Sequence, residues 1–193
     1  MVSKKKTTDI HSIRARKLVC KNTRFEVFLD DIESSDGTVV HDYLAVVPRI
    51  RTVNGVAGIA VLPIIDNKIG LLRIFRYPLA AYSWEIPRGF VDPGEIDAVS
   101  ALRELDEETG LHCNKDDLLS YGLIAPEPGL LVGYTHLYAA LNCIRKRPYR
   151  TNEIGHEEFR LLEPAELSSM IASSEIREPC TLIACLKYLN PSC

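Results

Sequence analysis

Long apolar runs are missing from this chain of 193 residues. None approaches the roughly 20 residues a membrane-spanning helix needs, so no membrane partner is expected. The six cysteines (Cys20, Cys113, Cys143, Cys180, Cys185, Cys193) include no C-x-x-C pair. In a chain of this size they read as reduced thiols of a cytoplasmic protein, not as a disulfide framework or a zinc site. An excess of base is also missing: the formal net charge is −3, so no global basic field points to nucleic acid. The opening stretch MVSKKKTTDIHSIRARK is basic but has no apolar h-region, so a secretory signal is not expected there and a frayed polar tail is. There is no internal repeat. What remains, 46% hydrophobic and 25% charged residues, is the composition of an ordinary soluble globular protein, one domain with at most a small appendage.

One stretch stands out, Gly89 to Leu111, reading GFVDPGEIDAVSALRELDEETGL. Gly and Pro are absent from Asp97 to Thr109, where Ala, Leu and Glu dominate, so a helix is expected, ended by Gly110 in a left-handed conformation. Ala98, Ala101, Leu102 and Leu105 share one face, and Glu104, Glu107 and Glu108 share an adjacent one. The acids repel one another at this spacing and crowd the end where the helix dipole is itself negative. Arg103 alone cannot offset them, whereas divalent cations could.

Along the chain, RFEVFLDDI (Arg24 to Ile32), a turn at Ser34-Ser35-Asp36-Gly37 and TVVHDYLAVV (Thr38 to Val47) read as a hairpin, with a short strand near Leu18 to Cys20 before it. The hairpin is marginal alone and is a candidate dimerisation element. After a connector, Val56 to Ile65 and Lys68 to Phe75 are apolar enough to be strands covered on both faces. Beyond the acidic helix, Leu118 to Ala125 and Gly133 to Cys143 read as strands around the loop PEPGLLV, and Phe159 to Leu162 as a last strand. Helices are expected near Ala165 to Ser173 and Pro179 to Leu189. This order suits a mixed sheet between helices.

Gly89, Glu95, Arg103, Glu104, Leu105, Glu107, Glu108, Gly110 and Leu111 match the pattern G-x5-E-x7-R-E-U-x-E-E-x-G-U, with U aliphatic, at every fixed position. This resembles the signature of the Nudix hydrolases. The resemblance implies an α/β class, the α/β/α sandwich with a mixed sheet, here with a small N-terminal antiparallel β subdomain (residues 1–52) before a hydrolase domain (53–193). It implies Mg2+ or Mn2+ on Glu104 and Glu108, with Glu107 contributing and the Arg88 carbonyl completing one site. Arg103 would orient the glutamates, and Glu95 either supports Arg103 or a metal-bound water or is a plain loop acid. The general base would be a box glutamate or an acid of the loop TNEIGHEEF, with Glu153 and Glu157 the candidates.

The lead-in WEIPRG, Pro126 fifteen residues after Leu111 and the N-terminal hairpin are similar to the ADP-ribose pyrophosphatase branch. That branch implies hydrolysis of ADP-ribose to AMP and ribose 5-phosphate, in a homodimer whose hairpin helps close the pocket. Arg51, Arg76, Glu85 and Phe25 are then candidate substrate-binding residues, with Phe28, Arg49 and Arg73 as neighbouring alternatives. Hydrolysis of another nucleoside diphosphate sugar, GDP-mannose or UDP-glucose, is the competing expectation. A non-catalytic sensor on the same fold is disfavoured by the intact glutamates.

Overall fold

The computed structural model describes residues 11–150 and 153–190 and falls into two units. The first holds the described residues up to Arg49 together with Glu127–Gly133. It is an antiparallel sheet of β1 (His11–Lys21), β2 (Phe25–Ser34) and β3 (Val39–Pro48), with β2 in the middle. The expected turn is there, closed by Ser34 N–H donating to the Thr38 carbonyl at 2.9 Å, with Gly37 at a φ of 85°. The β9–β10 connection (ranges below) contributes Glu127–Gly133 along β3: Val46 N–H donates to Leu130 O at 2.8 Å, and Tyr43 OH to Gly129 O at 2.9 Å.

The basic tail expected to fray is, from His11 on, a strand of 11 residues, all of them exposed. Residues 1–10 lie outside the described residues. Backbone pairing from His11↔Ser34 to Lys21↔Glu26 holds the strand, helped by Arg14–Glu33 and a two-pronged Arg16–Asp30 pair at 2.8 and 2.7 Å. No apolar alternation accompanies these interactions, so hydropathy does not reveal the strand.

The second unit holds residues 50–126 and the described residues from 134 on. Its strands are β4 (Val56–Ile65), β5 (Lys68–Arg76), β6 (Ala81–Glu85), β7 (Arg88–Phe90), β8 (Leu111–His112), β9 (Leu118–Ile124), β10 (Tyr134–Ala140), β11 (Ile144–Arg145) and β12 (His156–Leu162). Its helices are α1 (Asp97–Thr109), α2 (Pro164–Ala172) and α3 (Pro179–Leu189). The main sheet runs β12-β5-β4-β10-β9, with β6 on β5 and β7 on β4; β4 and β10 are parallel and the other pairs antiparallel. Strands β8 and β11 pair separately. The β4–β5 turn is made by Asp66 and Asn67, both left-handed at φ 50° and 62°, as a tight hairpin turn requires.

The central strand β4 is buried on both faces. Ala60, Leu62 and Ile64 join Leu71, Leu137, Leu167 and Ala184 in the core under α2 and α3. Ile59 and Val61 join Ala101, Leu105, Tyr138 and Ala140 in the core under α1. The result is the α/β/α sandwich with a mixed sheet. Each fully buried Leu or Ile contributes about 1.5–3 kcal/mol, which locates the stability of this unit in those two cores. Strands β6 and β7 add to the expected set, and β12 begins at His156, ahead of Phe159. No helix among the described residues is long and apolar enough to cross a membrane.

Candidate active site

Helix α1 places the box. It runs Asp97–Thr109 and stops at Gly110, whose φ of 72° and N–H to Asp106 O make the left-handed cap. Ala101 and Leu105 are fully buried against the sheet, which turns the adjacent acidic face toward β7. There Gly89 faces Glu104 at such close range that a Cβ would collide with the carboxylate. The first glycine of the box is thus a matter of space for an acid, not of backbone freedom.

Arg103 is the hub that orients this cluster. Its guanidinium lies 2.8 Å from Glu104, 3.2 Å from Glu107, 3.3 Å from Glu95 and 3.6 Å from Asp92. Nη2 also donates to the Phe90 carbonyl at 3.3 Å, while the buried Nε has no hydrogen-bond partner among the described residues. Glu95 accepts from Ser100 Oγ at 2.6 Å, and that bond, together with Arg103, holds its pKa below the ordinary range. Glu95 is therefore tied to Arg103 and to the start of α1.

Glu104 and Glu108 are buried, whereas Glu107 is exposed. Burial raises the pKa of Glu104 against the pull of Arg103. Burial, with the charge of Glu153 next, pushes Glu108 up to about 8. One oxygen of Glu108 accepts from Arg88 N–H at 3.0 Å; the other faces His156 Nε2 at 3.8 Å. Ligand atoms of Glu108, Glu153 and His156 all lie within 4.8 Å of one another. Two buried carboxylates beside exposed acids suit divalent cations coordinated by oxygen.

The loop acids divide. Glu153 joins Glu108, with an oxygen 3.4 Å from His156 Nε2. Glu157 instead pairs with Arg73, whose guanidinium lies 3.9 Å over the Tyr82 ring. Arg76 and Glu85 are brought together: the carboxylate, almost wholly buried, takes two bonds from the guanidinium at 2.9 and 2.6 Å. The Nε and Nη2 edge of the Arg76 fork is therefore held by Glu85. Arg51 is exposed in the connector before β4. Phe25 lies on β2 of the first unit, half-buried opposite Pro48, and Phe28 has Arg16 over its ring at 4.7 Å. Arg49 donates to Asn22 O at 3.2 Å.

Two contributors escaped the sequence reading. Glu178 accepts from the backbone N–H groups of Cys180 and Thr181 at the start of α3 and receives Arg88 Nη1 at 2.6 Å. The signal was present, an acid directly before Pro179 at a helix start. His156 lies in the loop TNEIGHEEF, whose glutamates alone were candidates; a His among acids in that loop was the available signal.

Comparison with known proteins gives the family and the fold. The NUDIX domain sequence model matches residues 56–179. The chain is 33% identical over 151 residues to the methanol dehydrogenase activator of Bacillus methanolicus, covering 78% of this chain and 74% of that protein. It is 26% identical over 167 residues to the ADP-ribose pyrophosphatase of Bacillus subtilis, covering 85% and 83%. A crystal structure of an ADP compounds hydrolase superposes with a TM-score of 0.77 at 20% identity, over 97% of this chain and 98% of that one. With the domain matched across most of the chain and the acidic box seated on α1, the protein belongs to the Nudix family and is a Nudix hydrolase of the kind that resembles ADP-ribose pyrophosphatases.

Proposed function

We infer that this protein hydrolyses the pyrophosphate bond of ADP-ribose, giving AMP and ribose 5-phosphate, with Mg2+ or Mn2+ held by the box. The observation that carries the reading is the burial of Glu104 and Glu108 on one helix face, with Glu153 brought beside Glu108 from a distant loop. Glu104, Glu108 and the Arg88 carbonyl are the proposed principal ligands, with Glu107 contributing from the exposed side. When bound, the cations neutralise the pyrophosphate and lower the pKa of an attacking water. Arg103 holds Glu104, Glu107 and Glu95 in register through charge-assisted bonds. Glu153, next to Glu108, takes up the proton of the attacking water; Glu157, engaged by Arg73, serves the loop's structure.

The relatives' named activities differ, so the substrate is read from residues outside the box. Arg51 and Arg76 are the proposed nucleotide contacts, since guanidinium groups suit phosphate and base stacking, with Glu85 fixing Arg76. Residues 1–52, with Phe25, form the proposed dimerisation subdomain beside the hydrolase domain 53–193.

A panel of nucleoside diphosphate sugars, dinucleotides and nucleoside triphosphates, with products identified, tests the substrate. ADP-ribose should be turned over fastest, and only with Mg2+ or Mn2+ present. Glu108→Gln and Glu153→Gln should each lower turnover on the order of 100-fold, and Glu157→Gln far less. Full activity in excess chelator, or near-normal turnover of Glu108→Gln, defeats the proposed site; faster hydrolysis of GDP-mannose or UDP-glucose reassigns the substrate alone.

A further inference from the structure

The turn before β12 is clamped in place. Gly155 has a φ of 91°, its carbonyl accepts from Phe75 N–H at 2.8 Å, and a Cβ there would lie 2.6 Å from Phe75 O. His156 N–H donates back to Glu153 O at 3.3 Å. The turn therefore sets the side chains of Glu153 and His156 next to each other, at the end of β5. The His156 side chain is 4% exposed, and its Nε2 lies 3.4 Å from Glu153 and 3.8 Å from Glu108. Its buried Nδ1 has no hydrogen-bond partner among the described residues.

A histidine buried only to fill the core would sit among apolar neighbours or satisfy its nitrogens with hydrogen bonds. This one is enclosed and aimed at two carboxylates. Metal–ligand bonds of about 2.1 Å put adjacent ligand atoms about 3 Å apart and opposite ones about 4.2 Å apart. The separations of 3.4 and 3.8 Å fall between these limits. Glu108 is prepared for the role: Arg88 N–H holds one of its oxygens, which directs the other at the imidazole. Glu153 needs to give the ion only one oxygen, leaving its second for the proton.

We propose that His156 is a metal ligand, its Nε2 joining Glu108 and Glu153 on one divalent cation and tilting this site from Mg2+ toward Mn2+. Mg2+ demands an octahedron of oxygens, whereas imidazole suits the first-row transition ions. The inference rests on the metal-dependent reading above but goes beyond it, because the box glutamates alone imply an all-oxygen site.

The test is pulsed electron paramagnetic resonance of the full chain with Mn2+ alone. The bound ion should show modulation from a directly coordinated 14N, replaced by that of 15N when the histidines are 15N-labelled. His156→Gln should lose the modulation, bind Mn2+ about tenfold more weakly and lose most of its preference for Mn2+ over Mg2+ in competition titrations. Mn2+ bound with no nitrogen modulation in the wild type overturns the proposal and leaves the metal-dependent reading standing. Modulation that persists in His156→Gln also overturns it, whereas no Mn2+ binding at all overturns both. If the variant does not fold, the labelled wild type and its competition titration decide alone.

Discussion

Glu108 shows how one side chain sets the behaviour of the site before a cation binds. Burial raises its pKa from an ordinary 4.5 to about 8, so the folded metal-free protein holds this proton more tightly than the unfolded chain does. Stability from this proton is fully present below the unfolded pKa and is lost as pH rises through the folded one. The metal-free protein should therefore melt at progressively lower temperature between about pH 5 and pH 8, by an amount worth at most a few kcal/mol, roughly. Glu108→Gln, which cannot ionise, should flatten that slope, and Mn2+ should raise the melting temperature of the wild type more at the upper end of the range. Thermal melts in chelator and in Mn2+ measure both effects; a metal-free slope unchanged in Glu108→Gln would place its cause elsewhere.

Elements meet this site at their ends, and α3 has the clearest link. Glu178 caps it through Cys180 N–H at 3.1 Å and Thr181 N–H at 2.7 Å, and the Thr181 hydroxyl in turn accepts from Ile86 N–H at 3.0 Å. Arg88, the residue before the box, reaches the same carboxylate at 2.6 Å. One acid thus fixes both a helix start and the strand that leads to Gly89. Burial raises the pKa of Glu178, but Arg88 and the Thr181 hydroxyl outweigh it and leave it lowered. Its contribution is present above the unfolded value of about 4.5 and is lost as pH falls through the lower folded one. Glu178→Ala should cost about 1–2 kcal/mol as a lost cap, and more once Arg88 is left without its carboxylate. Urea melts at neutral pH read that loss, which should shrink below about pH 4 as the wild type protonates.

The elements also show what a sequence can disclose. The bounds of α1 and of β4 follow from their own residues, because helix propensity, a terminal glycine and an unbroken apolar run are local signals. The same holds for the helix starts at Pro164 and Pro179. Strand β1 was not legible beyond Leu18 to Cys20, since its side chains are exposed and its hold is backbone pairing with β2. The meeting of Glu153 with Glu108, and of Arg76 with Glu85, depends on the pairing of β5 with β12 and β6. Such long-range register leaves no mark in either segment alone. Resemblance to a family supplied the acids of the loop, but not which of them turns toward the box.

For the molecule as a whole, the first unit raises the question of assembly. A three-stranded sheet needs a covered hydrophobic face to be stable by itself, and this one leaves Ile13, Leu18, Val19, Val40 and Leu44 between 44% and 53% exposed. Ile13 and Val40 lie together opposite Ile32, an exposed apolar pair that a second copy of the same chain could cover. The protein should therefore sediment as a dimer at micromolar concentration. Ile13→Lys combined with Val40→Lys should give a monomer, because both lie opposite Ile32 on one face and their charges would lose their solvation at the interface. The second unit, whose cores lie in its own strands and helices, should keep its fold in that variant, as circular dichroism can check. If the partner's hairpin helps close the pocket, the monomer should show a raised KM for ADP-ribose while Mn2+ affinity stays unchanged, since every proposed ligand belongs to the second unit. A wild-type protein that sediments as a stable monomer would remove the dimer. An unchanged KM in the monomeric variant would instead keep the dimer and confine substrate recognition to the second unit, to Arg51 and the Arg76–Glu85 pair.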